Sequence, residues 1–590
     1  MERKEFYLNH IDALTADIAV LKQRNRFFVA GEIITFLAAL GFVVLYTVIH
    51  DAAWTLGVAA LIFIVYVLIR RMDVRNGSAI DDLTDLRSVY QHEVSYLEGD
   101  FSCFGDGEKY QDPHHPFTFD LDIFGRDSLF NRMNRTVTSG GSDRLAEYLS
   151  FASVSDQSDA IDILAADETW RTKFISLGQR QQIDTNSILA VLNDAGKTKI
   201  TSAAGSRAMF VIAWLLIVGF FASVVFSICG LVSANLPVWW GILQFFGVFS
   251  LTSRSLKTIT KTVGSLHGQM KQYIGMVRHC QMLTNVPASL KPQIDSLDEA
   301  MLSFERLEDV LDGLDRRGNM LGLFFFDAFF LSDFFLIRKF LKWQGCYLDK
   351  ISAWIDVVSH VDALVSMATF RYNHPEAGHA EIVESDEIIY EARDLYHPFL
   401  GAGAVRNDFS ILDGNYYIIT GANMAGKSTF LRSVGVNYIL ARNGMPVFAS
   451  SLRVSRFSLF SSMRTTDDLT HGISYFNAEL LRLKHLIDHC SHSARTLIIL
   501  DEILKGTNSL DKLNGSRLFL QSISRMPVSG VIATHDLELS KMADEYPDRF
   551  HNYCFEIELG ADVTYSYKIT LGVARNQNAT FLLKNILRSV

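Results

Sequence analysis

The sequence lacks what would mark a disulfide-stapled, zinc-bound or dedicated nucleic-acid-binding chain. Its six cysteines, Cys103, Cys229, Cys280, Cys346, Cys490 and Cys554, form no CxxC pair and join no histidine at metal-ligand spacing. That excludes a disulfide framework and a structural metal, and fits reduced thiols facing a cytosol. Lys and Arg number 55 against 65 Asp and Glu, a formal net charge of -10. A chain of that sign carries no global basic footprint for DNA or RNA, and only a local basic face stays open. No cleavable signal peptide is visible. Met1 to Arg26 is polar and periodic (Ile11, Leu14, Ile18, Leu21) and predicts a short amphipathic helix instead.

What is abundant is apolar residue. With 590 residues the chain is too long for one core, and its 42 Phe call for a search for membrane segments. Phe27 to Ile49 is apolar apart from Glu32 and a few small or hydroxyl residues, long enough to cross a bilayer of roughly 30 Å. His50-Asp51 leads into a second run, Trp54 to Ile69, stopped by Arg70-Arg71. A third run spans Ala208 to Val232 and a fourth Pro237 to Leu251, with Trp239 and Trp240 placed for an interfacial belt.

The flanking charges agree. Lys22, Arg24, Arg26, Arg70, Arg71 and Arg75 bracket the first pair of runs; Lys197, Lys199, Arg207, Arg254 and Lys257 bracket the second. The short connections His50 to Ala53 and Ser233 to Leu236 hold no Lys or Arg. The positive-inside tendency then predicts two transmembrane hairpins entering and leaving from the cytoplasm, in a multi-pass protein of the cytoplasmic (inner) membrane. Both termini would lie in the cytoplasm. The competing reading, buried helices of a large soluble core, does not require this charge pattern. A fifth stretch, Leu321 to Leu336, is Phe-rich but carries Asp327 and Asp333, and predicts a helix lying against the membrane or the other hairpins.

The intervening segments read as helical. Ser128 to Ser150 predicts helix, a Thr/Gly/Ser break, then helix. Ile294, Leu297, Met301, Phe304, Leu307, Leu311 and Leu314 recur at three- and four-residue steps, a long amphipathic helix. Another helical block covers about Phe340 to Thr369.

Chemistry concentrates in the last third. Gly421-Ala422-Asn423-Met424-Ala425-Gly426-Lys427-Ser428 matches the phosphate-binding pattern GxxxxGK[ST], with a β-rich run before it and a helix-compatible run from Thr429 after it. Its glycines let backbone N–H groups approach phosphate oxygens at a helix N-terminus. Lys427 would neutralise the β- and γ-phosphates of ATP and Ser428 would ligate Mg2+. Thr496 to Asp501-Glu502 is an apolar strand ending in two carboxylates: Asp501 for the metal, Glu502 to polarise the attacking water. Gly530 to Asp536 is another apolar strand, ending at His535, where this ATPase class places a γ-phosphate sensor. Thr466 to Phe476 precedes a helix containing Glu479. On spacing alone it serves equally well as a polar loop capping that helix.

Taken together these stretches resemble the MutS family. TGANMAGKSTFLRSVG is similar to the family's phosphate loop, DDLTHGISYFNAEL to its signature loop, LDEILKGTNSLDKLNG to its acidic strand and the loop beyond, and ATHDLEL to its histidine motif. YSYKITLGVARNQNATFLL resembles the closing segment, and NRTVTSGGSDRL the opening of the helical core. The resemblance implies a homodimeric ATPase with composite sites, in which Gly472 and Ser474 act on the nucleotide of the opposite subunit. It also implies catalytic roles for Lys427, Glu502 and His535, and arms that bind mismatched or branched DNA. No amino-terminal mismatch-reading domain is recognisable, and a membrane hairpin stands in its place.

The expected fold is thus an α/β P-loop NTPase domain of the ABC/MutS type, preceded by an all-α core and lever region with two transmembrane helical hairpins. The expected boundaries are 1–26, an amphipathic helix; 27–71, the first hairpin; 72–206, a helical segment; 207–253, the second hairpin; 254–380, a lever-like segment; and 381–590, the ATPase domain. The function expected is a membrane-anchored ATPase switch in DNA mismatch binding, repair or related DNA handling. The alternative is a membrane-coupled mechanochemical or transport-type ATPase without DNA.

Overall fold

The computed structural model describes residues 2–49, 53–153, 156–197, 202–317, 320–464, 475–493, 495–559 and 563–575. The chain forms two compact units, each assembled from separate stretches. One comprises Met1–Asp100, Thr136–Ser142 and Asp167–Ala363; the other comprises Phe101–Arg135, Asp143–Ala166 and Leu364–Val590.

The first unit is helical. Glu2–Val48 and Ala53–Leu97 are two continuous helices paired as one hairpin. At 1.5 Å per residue each is about 70 Å long. The short amphipathic helix predicted for 1–26 therefore does not end at Arg26. No proline or capping residue interrupts it, and it runs straight into the apolar stretch. The polar halves are held by Tyr7 against Tyr90 at 5.9 Å between ring centroids and by Asn76 Nδ2 donating to Leu21 O at 3.1 Å. Glu32 meets Arg70 across the hairpin at 3.2 Å. The apolar halves bury little: the most apolar windows of the two helices are 6% and 11% buried.

The second hairpin pairs Arg207–Ile228 with Asn235–Val263, whose apolar windows are each 22% buried. Among the described residues five helices are long and apolar enough to cross a membrane. The fifth, Ser332–Asn373, differs in kind, being 72% buried over its apolar window.

Leu321 to Leu336 forms two helices rather than one. Met320–Phe330 and Ser332–Tyr347 meet at Leu331, whose φ of 49° is left-handed. Both pack on the second hairpin: Phe324 on Phe245 at 5.0 Å, Phe329 stacked on Phe220 at 5.3 Å, Phe335 on Trp214 at 5.9 Å. The two carboxylates turn inward at the bend. Asp327 Oδ1 accepts from the Asp333 N–H at 2.8 Å, and Arg317 Nε pairs with Asp333 at 2.8 Å.

The amphipathic stripe from Ile294 to Leu314 lies on helix Lys291–Arg316 and is buried along its length. Helix Ser139–Leu149 starts inside the predicted Thr/Gly/Ser break rather than after it and takes in Gly140 and Gly141. The buried carboxylate of Asp362 accepts from Val137 N, Thr138 N and Thr138 Oγ1 at 3.1, 2.8 and 2.6 Å, anchoring the segment just before that helix. A Cβ at Gly141 would stand 2.1 Å from Asp362 Oδ2, so only glycine fits.

The second unit is α/β. Its strands are β1 (Glu381–Val383), β2 (Ile389–Leu395), β3 (Asn407–Leu412), β4 (Tyr416–Gly421), β5 (Ser451–Ser455), β6 (Ser458–Ser462), β7 (Thr496–Asp501), β8 (Val528–Thr534), β9 (Phe550–Leu559) and β10 (Val563–Leu571). A four-stranded sheet runs β1-β5-β2-β3, and a six-stranded sheet β10-β9-β4-β8-β7-β6. In the larger sheet every pairing is parallel except that of the edge strand β10 with β9. Strands β4 and β8 are buried along their whole length, which accounts for their continuous apolar sequence. Helices Lys427–Arg442, Tyr475–His492 and Ser509–Ile523 complete the layers.

Residues 101–135 belong to this unit, beside the sheet. Asp120 accepts from Ser461 Oγ at 3.1 Å, Met463 N at 3.1 Å and Arg464 N at 2.7 Å, closing the end of β6. Arg482 donates to the carbonyls of His114, His115, Pro116 and Ser461.

Candidate nucleotide-binding site

The carboxyl ends of β4, β7 and β8 adjoin in the sheet, and the motif residues emerge together there. Thr420 is in register with Thr534, Asp501 with Ala533, and Glu502 N donates to Ala533 O at 2.9 Å. Parallel strands in register thus gather Lys427, Asp501, Glu502 and His535 from three segments, the first and last of these residues being 108 positions apart. A cavity of about 950 Å³ opens over them, lined also by Asn423, Met424, Ala425, Gly426, Ser428 and Thr429.

The loop from β4 to its helix bends tightly. Met424 and Gly426 have φ of 66° and 105°, and Gly426 caps the helix that begins at Lys427. A side chain at Gly421 would approach Phe555 O to 3.0 Å, and one at Gly426 would strain its left-handed backbone. Ala422 is buried behind the loop.

Lys427 Nζ donates to the carbonyls of Gly421 and Ala422 at 2.9 Å each and lies 3.4 Å from both ring nitrogens of His535. Burial pushes the Lys427 ammonium down to about 8, against the opposing pull of Asp501 and Glu502. A cation so desolvated, and hydrogen-bonded only to carbonyls and a ring, suits an anionic ligand. Ser428 Oγ donates to Asp501 Oδ2 at 2.5 Å, a hydroxyl and a carboxylate side by side. Hard oxygen donors of this kind fit Mg2+.

Glu502 has the left-handed φ of 65°, held where strand turns to loop. One carboxylate oxygen meets Lys512 Nζ at 3.1 Å; the other is 3.7 Å from His535 Nε2. Burial works to raise the Glu502 carboxyl, but Lys512, His535 and Lys505 outweigh it and hold it below its ordinary range. His535 is held low by burial first and by Lys427 second, and so is neutral at physiological pH.

Gly472 and Ser474 lie outside the described residues. The helix after them is described, and its buried Glu479 accepts from Lys505 N and Gly506 N at 2.9 Å each, tying that helix to the loop beyond β7. Motif reading missed Lys512, which no pattern distinguishes from a solvated helix lysine. It also missed the cavity wall of Tyr396, His397, Val405 and Asn407, which the connection after β2 and the start of β3 supply from outside the motifs.

Residues 417–581 match the family model of MutS domain V. The DNA mismatch repair protein MutS of Acetivibrio thermocellus is 31% identical over 233 residues, which is 37% of this chain and 26% of that protein. That of Persephonella marina is 28% identical over 315 residues, 52% of this chain and 33% of the relative. The DNA mismatch repair protein msh-2 of Neurospora crassa is 30% identical over 228 residues, 36% and 24%. The chain spans about a quarter to a third of the length of these relatives. The match falls on the α/β unit that carries the cavity, its acidic strand end and its phosphate-type loop, and over that unit the chain is similar to MutS domain V.

Proposed function

We propose that the chain is a membrane-anchored MutS-type ATPase whose nucleotide cycle serves DNA mismatch binding, repair or related DNA handling. The observation that carries the ATPase reading is the convergence of Lys427, Ser428, Asp501, Glu502 and His535 on one cavity, at the ends of three adjacent parallel strands.

In this reading the loop 421–429 wraps the phosphates with its backbone N–H groups, and Lys427 turns from the Gly421 and Ala422 carbonyls to the β- and γ-phosphates. Ser428 and Asp501 would hold Mg2+, which when bound would supply positive charge to offset that developing on the phosphates. Glu502 orients a water for in-line attack, and neutral His535 donates a hydrogen bond to the γ-phosphate. Ser474 and Gly472 complete the partner's site in a homodimer, the arrangement the family implies.

DNA handling is supported by the names of the relatives and by the family domain. Anchoring is supported by four apolar helices that bury 22% or less of their windows and by the basic residues at their cytoplasmic ends. Both termini and the ATPase domain then lie in the cytoplasm.

The test is ATP turnover by the detergent-purified chain, alone and with homoduplex, mismatched or branched DNA. Turnover that mismatched or branched DNA stimulates, and that Glu502→Gln abolishes, is the expected result. Turnover indifferent to every DNA would remove DNA from the proposal. No turnover under any condition would remove the ATPase reading itself.

A further inference from the structure

Lys512 stands in the first turn of helix Ser509–Ile523, behind the Asn508 cap whose side chain accepts from Asp511 N at 3.0 Å. A cation there faces the positive end of the helix dipole, so the helix itself gives no reason for it. Its side chain is 20% exposed and runs inward to Glu502 Oε2 at 3.1 Å, where the carboxylate is 15% exposed. Glu502 is the water-orienting carboxylate of the proposed reaction, and its backbone is held left-handed at the end of β7.

We propose that Lys512 is a positioning residue for hydrolysis, fixing Oε2 of Glu502 so that Oε1 faces His535 and the nucleotide cavity. The inference rests on the ATPase reading above. A carboxylate held at one oxygen presents the other in a single direction, which is what aligning a water requires. The other charged groups acting on Glu502 are His535 and Lys505, with Lys427 across the cavity and Asp501 beside it in the chain. Lys427 and His535 face the phosphates, whereas Lys505 Nζ is spent on Met463 O at 3.2 Å. Lys512 is the cation placed at Glu502 from behind.

The measurement is the kcat and KM of ATP hydrolysis for the full-length chain, Lys512→Met and Lys512→Arg, with ATP affinity measured separately by a fluorescent analogue. Lys512→Met is expected to lower kcat about tenfold or more with KM and affinity within about twofold. Lys512→Arg should restore kcat, since it returns a donor and a charge to the same face. Turnover by Lys512→Met within about twofold of the parent overturns the proposal. So does faster turnover, which would make the pair a restraint on Glu502, and so does a loss of nucleotide affinity equal to the loss of rate. A parent chain without turnover defeats the ATPase reading, a result distinct from any of these.

Discussion

The Ser428 hydroxyl donates to Asp501 across 73 residues of sequence, at 2.5 Å, joining the first turn of the phosphate-loop helix to the end of β7. That distance places a hydroxyl and a carboxylate side by side at the cavity, as the proposed Mg2+ site requires. Replacing either should spare nucleotide binding more than it spares catalysis, because loop 421–429 and Lys427 remain. Asp501→Asn and Ser428→Ala are each expected to cut turnover about 100-fold and to raise the Mg2+ concentration giving half-maximal rate. A Mg2+ titration of turnover reads both. An unchanged Mg2+ requirement in either variant would remove that residue from the metal site.

Arg482 is buried to 12% exposure opposite Asp120 at 2%, and the two are 3.3 Å apart. The guanidinium also serves four carbonyls, so its planar fork is filled. Arg482→Met leaves Asp120 buried without its cation and should cost about 3–5 kcal/mol. Arg482→Lys should recover only part, since one ammonium cannot reach all these acceptors. Urea unfolding followed by hydrogen exchange over 112–122 and 458–464 measures it. Protection equal to the parent's would show the cluster to be incidental.

The motifs that read clearly in the sequence are those where backbone geometry dictates residue type. Gly421 and Gly426 sit where a Cβ would collide or strain, and the apolar runs of β4, β7 and β8 reflect strands buried on both faces. The Ile294-to-Leu314 stripe was legible for the same reason, since one helix face is buried throughout. Less legible was what depends on distant partners. Asp120 meets Ser461 across 341 residues, and nothing local in DPHHPFTFDLD announces it. Leu331 breaks a helix without glycine or proline, where the Asp333 N–H donates to buried Asp327 and Asp333 pairs with Arg317. Lys512 looks like any surface lysine until Glu502 is placed beside it. The continuation of the first helix past Arg26 was hidden by a change in composition that the backbone ignores.

Two histidines of the α/β unit make its stability depend on pH. Burial lowers His115 to about 4 and His397 to about 3, the latter also repelled by Arg432 and Arg132. In the unfolded chain both titrate near 6.5. Between those values the unfolded state binds more protons, so stability is full above about pH 6.5 and is lost as pH falls towards 4. At pH 5 each histidine should have withdrawn roughly 2 kcal/mol. Denaturant midpoints of this unit at pH 7.5 and 5, for the parent, His115→Gln and His397→Gln, test the sign and size. The variants should flatten the dependence one step each. An equal acid sensitivity in all three would place its origin elsewhere.

Arg317, Asp333 and Asp327 form a charged knot among phenylalanines. The arginine is 22% exposed, and both aspartates are essentially without solvent. Asp333 receives the guanidinium, and its own N–H serves Asp327, so the bend at Leu331 and the ion pair support each other. A buried pair of this kind need not add stability over an apolar substitute, but half of it left alone is costly. Arg317→Met should therefore destabilise the helical unit by about 3–5 kcal/mol, seen as a lower melting temperature and aggregation in detergent. Asp333→Leu alone should cost less, because Arg317 lies near the surface and can turn to water. The double variant should recover most of the loss of Arg317→Met, since no carboxylate at position 333 then remains to be neutralised. Additive losses in the double variant would mean that the two residues act independently and that the bend is held by the aromatic packing on Phe220, Phe221 and Phe245 alone.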